Sequence, residues 1–164
     1  TNSYLRQMSE REDVPDFTVV QAYHQSAGRG QRGNQWEGDT GKNLTFSILK
    51  RNMTLPAKQH FLLNILVSLS VYETLQASGL PGLRIKWPND ILSGSQKVCG
   101  ILLENQLRGA ELRNSIIGIG LNVNQTEFRD LPAAASLKTI TGRSLCFSRS
   151  LSSQASWRLP MRAR

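Results

Sequence analysis

The chain has 164 residues, 39% of them hydrophobic and 20% charged, which fits one globular domain with room for a single core. Its formal charge of +8 points to a polyanion partner only until the distribution is read. Residues 143–164 hold Arg143, Arg149, Arg158, Arg162 and Arg164 with no acid, leaving +3 for the rest and removing the main support for a nucleic-acid-binding surface.

No apolar run is long enough for a membrane-crossing helix and no signal peptide is read at the start. Cys99 and Cys146 form neither a metal-binding spacing nor a disulfide framework, so a reducing, cytoplasmic location is expected. Thr1-Asn2-Ser3-Tyr4-Leu5 opens the chain without a strong pattern of its own. Asp16 to Tyr23 then predicts a strand, and Asn43 to Leu49 predicts a second, half-buried one by its apolar–polar alternation.

Between these strands lies Gly28-Arg29-Gly30-Gln31-Arg32-Gly33-Asn34-Gln35-Trp36. Glycines let a loop turn its backbone N–H groups inward, while Arg29 and Arg32 supply fixed positive charge for a carboxylate or phosphate. A solvated loop or an RGG-like nucleic-acid segment is the plainer alternative, but this run occurs once and has a strand on either side.

Pro56 to Ser78 predicts the main helix, with Pro56 in its first turn, Gly79 at its stop and His60 in a solvated or capping role. Phe61, Leu62, Ile65, Leu66, Leu69, Tyr72 and Leu75 recur at helical spacing, and Leu63, Val67 and Val71 widen the stripe. A helix laid on a sheet and covered again at its flank is expected.

Leu83 to Trp87 predicts a strand stopped by Pro88, with Asn89 and Asp90 at its exit, a pair that on residue type alone reads as a turn. Ser93 to Gln96 connects to a strand from Lys97 to Glu104, and Arg108-Gly109 turns into another from Leu112 to Asn122, giving an antiparallel meander. Lys97 heads an otherwise apolar strand, either as a solvated edge lysine or as a point charge aimed into a pocket. Gly118 and Gly120 inside a strand pattern imply close approach of a ligand or a neighbouring segment.

Four runs together resemble biotin protein ligases: Gln25 through Gly33 with Trp36, Lys86-Trp87-Pro88-Asn89-Asp90, Lys97-Val98-Cys99-Gly100 continuing to Glu104, and Gly118-Ile119-Gly120-Leu121-Asn122-Val123-Asn124. The resemblance covers residues 1 to about 142. It implies an α+β fold with a mixed or antiparallel sheet packed against helices, as in class II aminoacyl-tRNA synthetases. It also implies ATP-dependent ligation of biotin to a lysine of a biotin carboxyl carrier protein through biotinyl-5′-AMP, with Mg²⁺ assisting. A lipoate or octanoyl ligase of the same fold, or a domain that binds without completing ligation, are the alternatives.

By the same resemblance, Lys97, Arg29 and Arg32 are the catalytic cations. Thr1, Asn2, Gln25, Gly28, Arg29, Gly30, Gln31, Lys97 and Gly100 would bind biotin, while Arg32, Trp36, Lys86, Asn89, Asp90 and Asn122 would meet the nucleotide. Metal ligands are not assigned. Gln31 and Asn34 stand where some relatives carry arginine, so a less tightly held intermediate is expected. A serine would precede Thr1 in the family pattern. No helix-turn-helix is read ahead of the domain, which implies ligases without DNA binding, and a weak homodimer is compatible with the resemblance. Residues 1–142 are read as an incomplete catalytic domain, and 143–164 as an atypical basic tail in place of a C-terminal barrel.

Overall fold

A computed structural model describes residues 1–129 and 131–146. The expectation for residues 143–164 lies mostly outside the described residues. Within them, Leu145 is tied to the end of the sheet: its N–H donates to Asn124 Oδ1 at 2.9 Å and its carbonyl accepts from Asn124 Nδ2 at 2.7 Å.

The framework is a seven-stranded sheet. Strands β1 (Val19–Ala22), β4 (Asn43–Lys50), β9 (Glu111–Asn122), β8 (Gln96–Arg108), β7 (Asp90–Ser93) and β6 (Leu83–Lys86) lie in that spatial order, and β5 (Leu55–Pro56) pairs with β9. All these pairings are antiparallel, so of the two expected alternatives, mixed or antiparallel, the second describes the named strands. Among the described residues, a parallel contact occurs only as the isolated bridge between Lys97 and Ala134. A separate two-stranded hairpin, β2 (Gly28–Arg29) with β3 (Gln35–Trp36), carries the glycine–arginine loop at its tip.

Alternation along the three central strands divides the apolar core in two. Phe46 and Ile48 of β4, Ile101 and Leu103 of β8, and Ile117 and Ile119 of β9 face α2 (His60–Ala77), where Val67, Val71 and Leu75 meet them at four-residue spacing. On the other face, Leu49 and Ile116 form a smaller cluster with Leu5 of α1 (Asn2–Arg11) and Val14.

Four expectations are corrected here. The opening residues form helix α1, which sequence reading missed because only Leu5 is a fully buried apolar side chain in it. Pro56 pairs with Glu111 in β5 and precedes a 3₁₀ turn, so α2 starts at His60, whose Nδ1 lies 2.9 Å from the Ala57 carbonyl. The stripe containing Phe61, Leu62, Ile65, Leu66 and Leu69 is the solvent side of α2, with Leu66 62% exposed. A helix apolar on nearly every side carries no periodic signal to say which face lies inward. Lastly, Lys97 lies on a central strand between β7 and β9, not on a sheet edge.

Candidate active site

The face opposite α2 carries a cleft of about 660 Å³, counting its mouth open to solvent. Its floor is made possible by small residues. Gly100 of β8 lies opposite Gly120 of β9, and Leu102 lies opposite Gly118. A Cβ at Gly120 would come within 2.6 Å of the Trp36 indole, and one at Gly118 within 2.4 Å of Asn2 Oδ1. The glycines therefore admit the indole on one side and the α1 N-terminus on the other.

Polar groups at the α1 end form a directed chain. Gln25 Nε2 donates to Thr1 Oγ1 at 3.2 Å, and Thr1 Oγ1 lies 2.6 Å from Ser47 Oγ. Asn2 Oδ1 can only accept, so the fully buried Ser47 hydroxyl gives it its proton and takes one from Thr1. Asn2 Nδ2 in turn points to the Leu102 carbonyl at 3.4 Å. The Trp36 indole N–H is buried without an acceptor.

Two cations line the cleft, and each is paired with a carboxylate. Lys97 Nζ lies 2.7 Å from Asp90 Oδ1, and an Arg29 guanidinium nitrogen lies 2.9 Å from Glu104 Oε1 and donates to Ser3 Oγ at 3.0 Å. Lys97 reaches this face through an irregularity. Ile91 pairs with Cys99 but the next residue, Leu92, pairs with Lys97, so Val98 is an extra residue on β8. Strict alternation would have put Lys97 on the apolar face with Cys99; the bulge turns it to the cleft.

The other anticipated residues are placed unevenly. Thr1, Asn2, Gln25, Gly30, Trp36, Asn89 and Gly100 line the cleft with Arg29 and Lys97, and Asp90 adjoins it through Lys97. Asn89 is held by β8, its Nδ2 donating to the Ile101 carbonyl at 3.2 Å. Gly28, Gln31, Arg32, Lys86 and Asn122 do not line it. Gly28 is buried against the Trp36 backbone, and Gln31 and Arg32 sit in a 3₁₀ turn where Arg32 has φ 56° and an exposed side chain. Lys86 is exposed on edge strand β6, and buried Asn122 donates from Nδ2 to the Ala135 carbonyl at 3.0 Å.

Sequence reading did not assign roles to Glu104, Ser3, Ser47, Gly118 or Gly120. The two glycines had a legible signal in their strand context, whereas the other three stand out only once α1 is folded onto the sheet. Among the described residues, no group of three or more His, Cys, Asp or Glu side chains is placed to hold a metal ion. No helix among them is long and apolar enough to cross a membrane.

A profile described as the Biotin/lipoate A/B protein ligase family matches residues 1–122. The Bifunctional ligase/repressor BirA of Bacillus spizizenii is 34% identical over 139 residues, 81% of this chain and 42% of the relative. A Biotin--[acetyl-CoA-carboxylase] ligase of Paracoccus denitrificans is 37% identical over 107 residues, 63% of this chain and 43% of the relative. The chain spans less than half the length of these curated relatives. Among solved structures, biotin protein ligase from Aquifex aeolicus in complex with biotin and ATP superposes with a TM-score of 0.68 at 32% identity, covering 86% of this chain and 58% of that one. The Leishmania major biotin protein ligase in complex with biotinyl-5-AMP gives 0.60 at 25% identity, covering 87% and 60%.

Proposed function

The chain belongs to the Biotin/lipoate A/B protein ligase family, and we propose that it is the part of a biotin protein ligase that binds biotin and ATP and joins them as biotinyl-5′-AMP. The observation that carries the reading is the cleft's polarity. The Gln25–Thr1–Ser47–Asn2 chain offers hydrogen bonds at one end, two cations stand on its walls, and glycines keep the floor free of side chains. Such a cleft suits an elongated ligand with a polar ring at one end and a carboxylate at the other.

In the proposed reaction a biotin carboxylate oxygen attacks the α-phosphate of ATP, the P–O bond to pyrophosphate breaks, and the mixed anhydride remains. The barrier is electrostatic, since a carboxylate must approach a polyanion. Lys97 and Arg29 are proposed to supply the compensating charge by exchanging their carboxylate partners for ligand oxygens. Arg32, Lys86 and Asn122 lie outside the cleft described above and would need a rearranged loop or a larger nucleotide footprint to take part. Mg²⁺ is expected to arrive with the phosphates of ATP, since the described residues form no metal cage of their own. The activated acyl group would then pass to a lysine amine of a biotin carboxyl carrier protein, with AMP leaving.

Titration calorimetry of the chain with biotin, followed by a search for biotinyl-AMP and pyrophosphate after ATP is added, tests this reading. Biotin binding and adenylate formation are expected. Absence of both, or preferential adenylation of lipoate or octanoate, would replace it.

A further inference from the structure

Among the described residues, Glu104 is the one carboxylate paired with the cleft's arginine, and it is incompletely satisfied. Its Oε1 is shared between Arg29 at 2.9 Å and Arg6 of α1 at 3.4 Å, while its side chain is only 14% exposed. Its Oε2 is buried with no hydrogen-bond partner, and so is Arg6 Nε. One acidic side chain thus holds two guanidinium groups in a geometry that leaves a buried acceptor and a buried donor unused.

From this we infer that Glu104 competes with the ligand's carboxylate for Arg29 and so sets the affinity of the cleft for anionic ligands. The inference rests on the proposed reading of Arg29 as a carboxylate clamp. Guanidinium–carboxylate pairs are strongest when both nitrogens of one edge meet both oxygens. Neither arginine reaches that arrangement with Glu104 while both share Oε1. If Arg29 swings to a ligand, the idle Nε of Arg6 and the idle Oε2 of Glu104 can close a two-pronged pair. The carboxylate then keeps a counter-ion, avoiding the large penalty of an unpaired buried charge.

Arg29 can make that exchange because it sits on the short β2–β3 hairpin, its guanidinium is half exposed, and its other tie is the single hydrogen bond to Ser3. Lys97 has a partner of its own in Asp90. Glu104 therefore acts specifically on the arginine and is a positioning residue, with no contact to the reacting atoms required of it.

The test compares biotin with biotinamide, which replaces the carboxylate by a neutral amide, using calorimetric titration of the full chain. Glu104→Gln should tighten biotin roughly five- to tenfold, the size expected when one hydrogen bond of ordinary net strength no longer competes, and leave biotinamide unchanged. In an Arg29→Gln background the same substitution should have no effect on either ligand. A Glu104→Gln protein whose biotin affinity is unchanged, or changes equally for both ligands, overturns the competition.

If wild type does not prefer biotin to biotinamide, the clamp reading of Arg29 fails first. If it does prefer biotin and Glu104→Gln does not widen the preference, the competition alone fails. Should Glu104→Gln lose biotinamide binding, Glu104→Met is put through the same comparison; loss in both variants overturns the inference and assigns Glu104 to the fold.

Discussion

On the face of the sheet under α2, Ile101, Ile117 and Ile119 are packed as bulky aliphatic side chains; on the opposite face, between those same residues, stand Gly100, Gly118 and Gly120. Both faces belong to β8 and β9, and the contrast comes from the two-residue period of a strand. The crowded face derives its stability from buried area. The sparse face leaves volume for a ligand and fills its edges with hydrogen-bonded polar groups such as Ser47 and Asn2. Around the cleft, with the smaller cluster of Leu5, Val14, Leu49 and Ile116 set apart from it on the same face, one backbone thus separates folding energy from the proposed binding chemistry, and substitutions on neighbouring residues should report on different properties.

The largest effect on stability is expected from the crowded face. Ile117, 6% exposed, packs toward α2 and does not line the cleft. Ile117→Ala should cost about 3 kcal/mol through lost burial and the cavity left behind, lowering the melting midpoint by about 10 °C. Biotin affinity of the folded protein should stay within about twofold of wild type. A calorimetric titration showing a larger loss would mean that the two faces are coupled.

Lys97 provides the converse case. Lys97→Ala should lower adenylate formation by on the order of 10²-fold, as for removal of one preorganised charge-stabilising donor, with biotin binding reduced less. Pyrophosphate release in a chain form that carries activity is the measurement. An unchanged rate would return Lys97 to the role of a lysine paired with Asp90. A smaller effect follows at Gly118→Ala, where the new methyl carbon would lie 2.4 Å from Asn2 Oδ1. Displacing Asn2 disturbs the Ser47 chain, and biotin affinity should fall roughly tenfold, about the cost of one misplaced hydrogen bond to a buried group. Titration giving wild-type affinity would show that the α1 terminus does not shape the cleft.

Much of this division could be read from the chain. The alternation of β4 and the glycines of β9 announce a two-faced sheet with close approach on one side, and the hairpin that carries the glycine–arginine loop lays Trp36 against Gly100 and Gly120 on that side. Three features escaped for physical reasons. The bulge at Val98 is a register event, produced by pairing with β7 and invisible in β8 alone. Helix α1 holds its place through Leu5 and the long-range bonds of Asn2, and ten residues with so few buried apolar side chains give a weak periodic signal. Glu104 looked like the end of a strand because its two arginines come from segments 75 and 98 residues away in sequence.

A pH series tests whether the crowded face is sealed from the cleft. Cys99 points to the α2 side and is fully buried, yet its chain neighbour Gly100 lines the cleft. Burial pushes its thiol from the ordinary value near 9 up to about 12; the Lys97 charge opposes this and the Asp90 charge adds to it. Below pH 9 both folded and unfolded states carry the thiol proton. Above it the unfolded chain ionises while the folded one does not, so the unfolded state binds fewer protons and stability must fall as pH rises toward 12. The Cys99 contribution is at most about 1.4 kcal/mol for each pH unit. Urea midpoints measured between pH 9 and pH 11 should therefore fall more steeply for wild type than for Cys99→Ala, whatever the offset between the two curves at pH 7. A thiol reagent at pH 8 should label exposed Cys146 in the native chain and reach Cys99 only after unfolding. Parallel pH curves together with rapid native labelling of Cys99 would show that water reaches the α2 face, and the separation of folding from binding across the sheet would then fail at the residue where the two faces come closest.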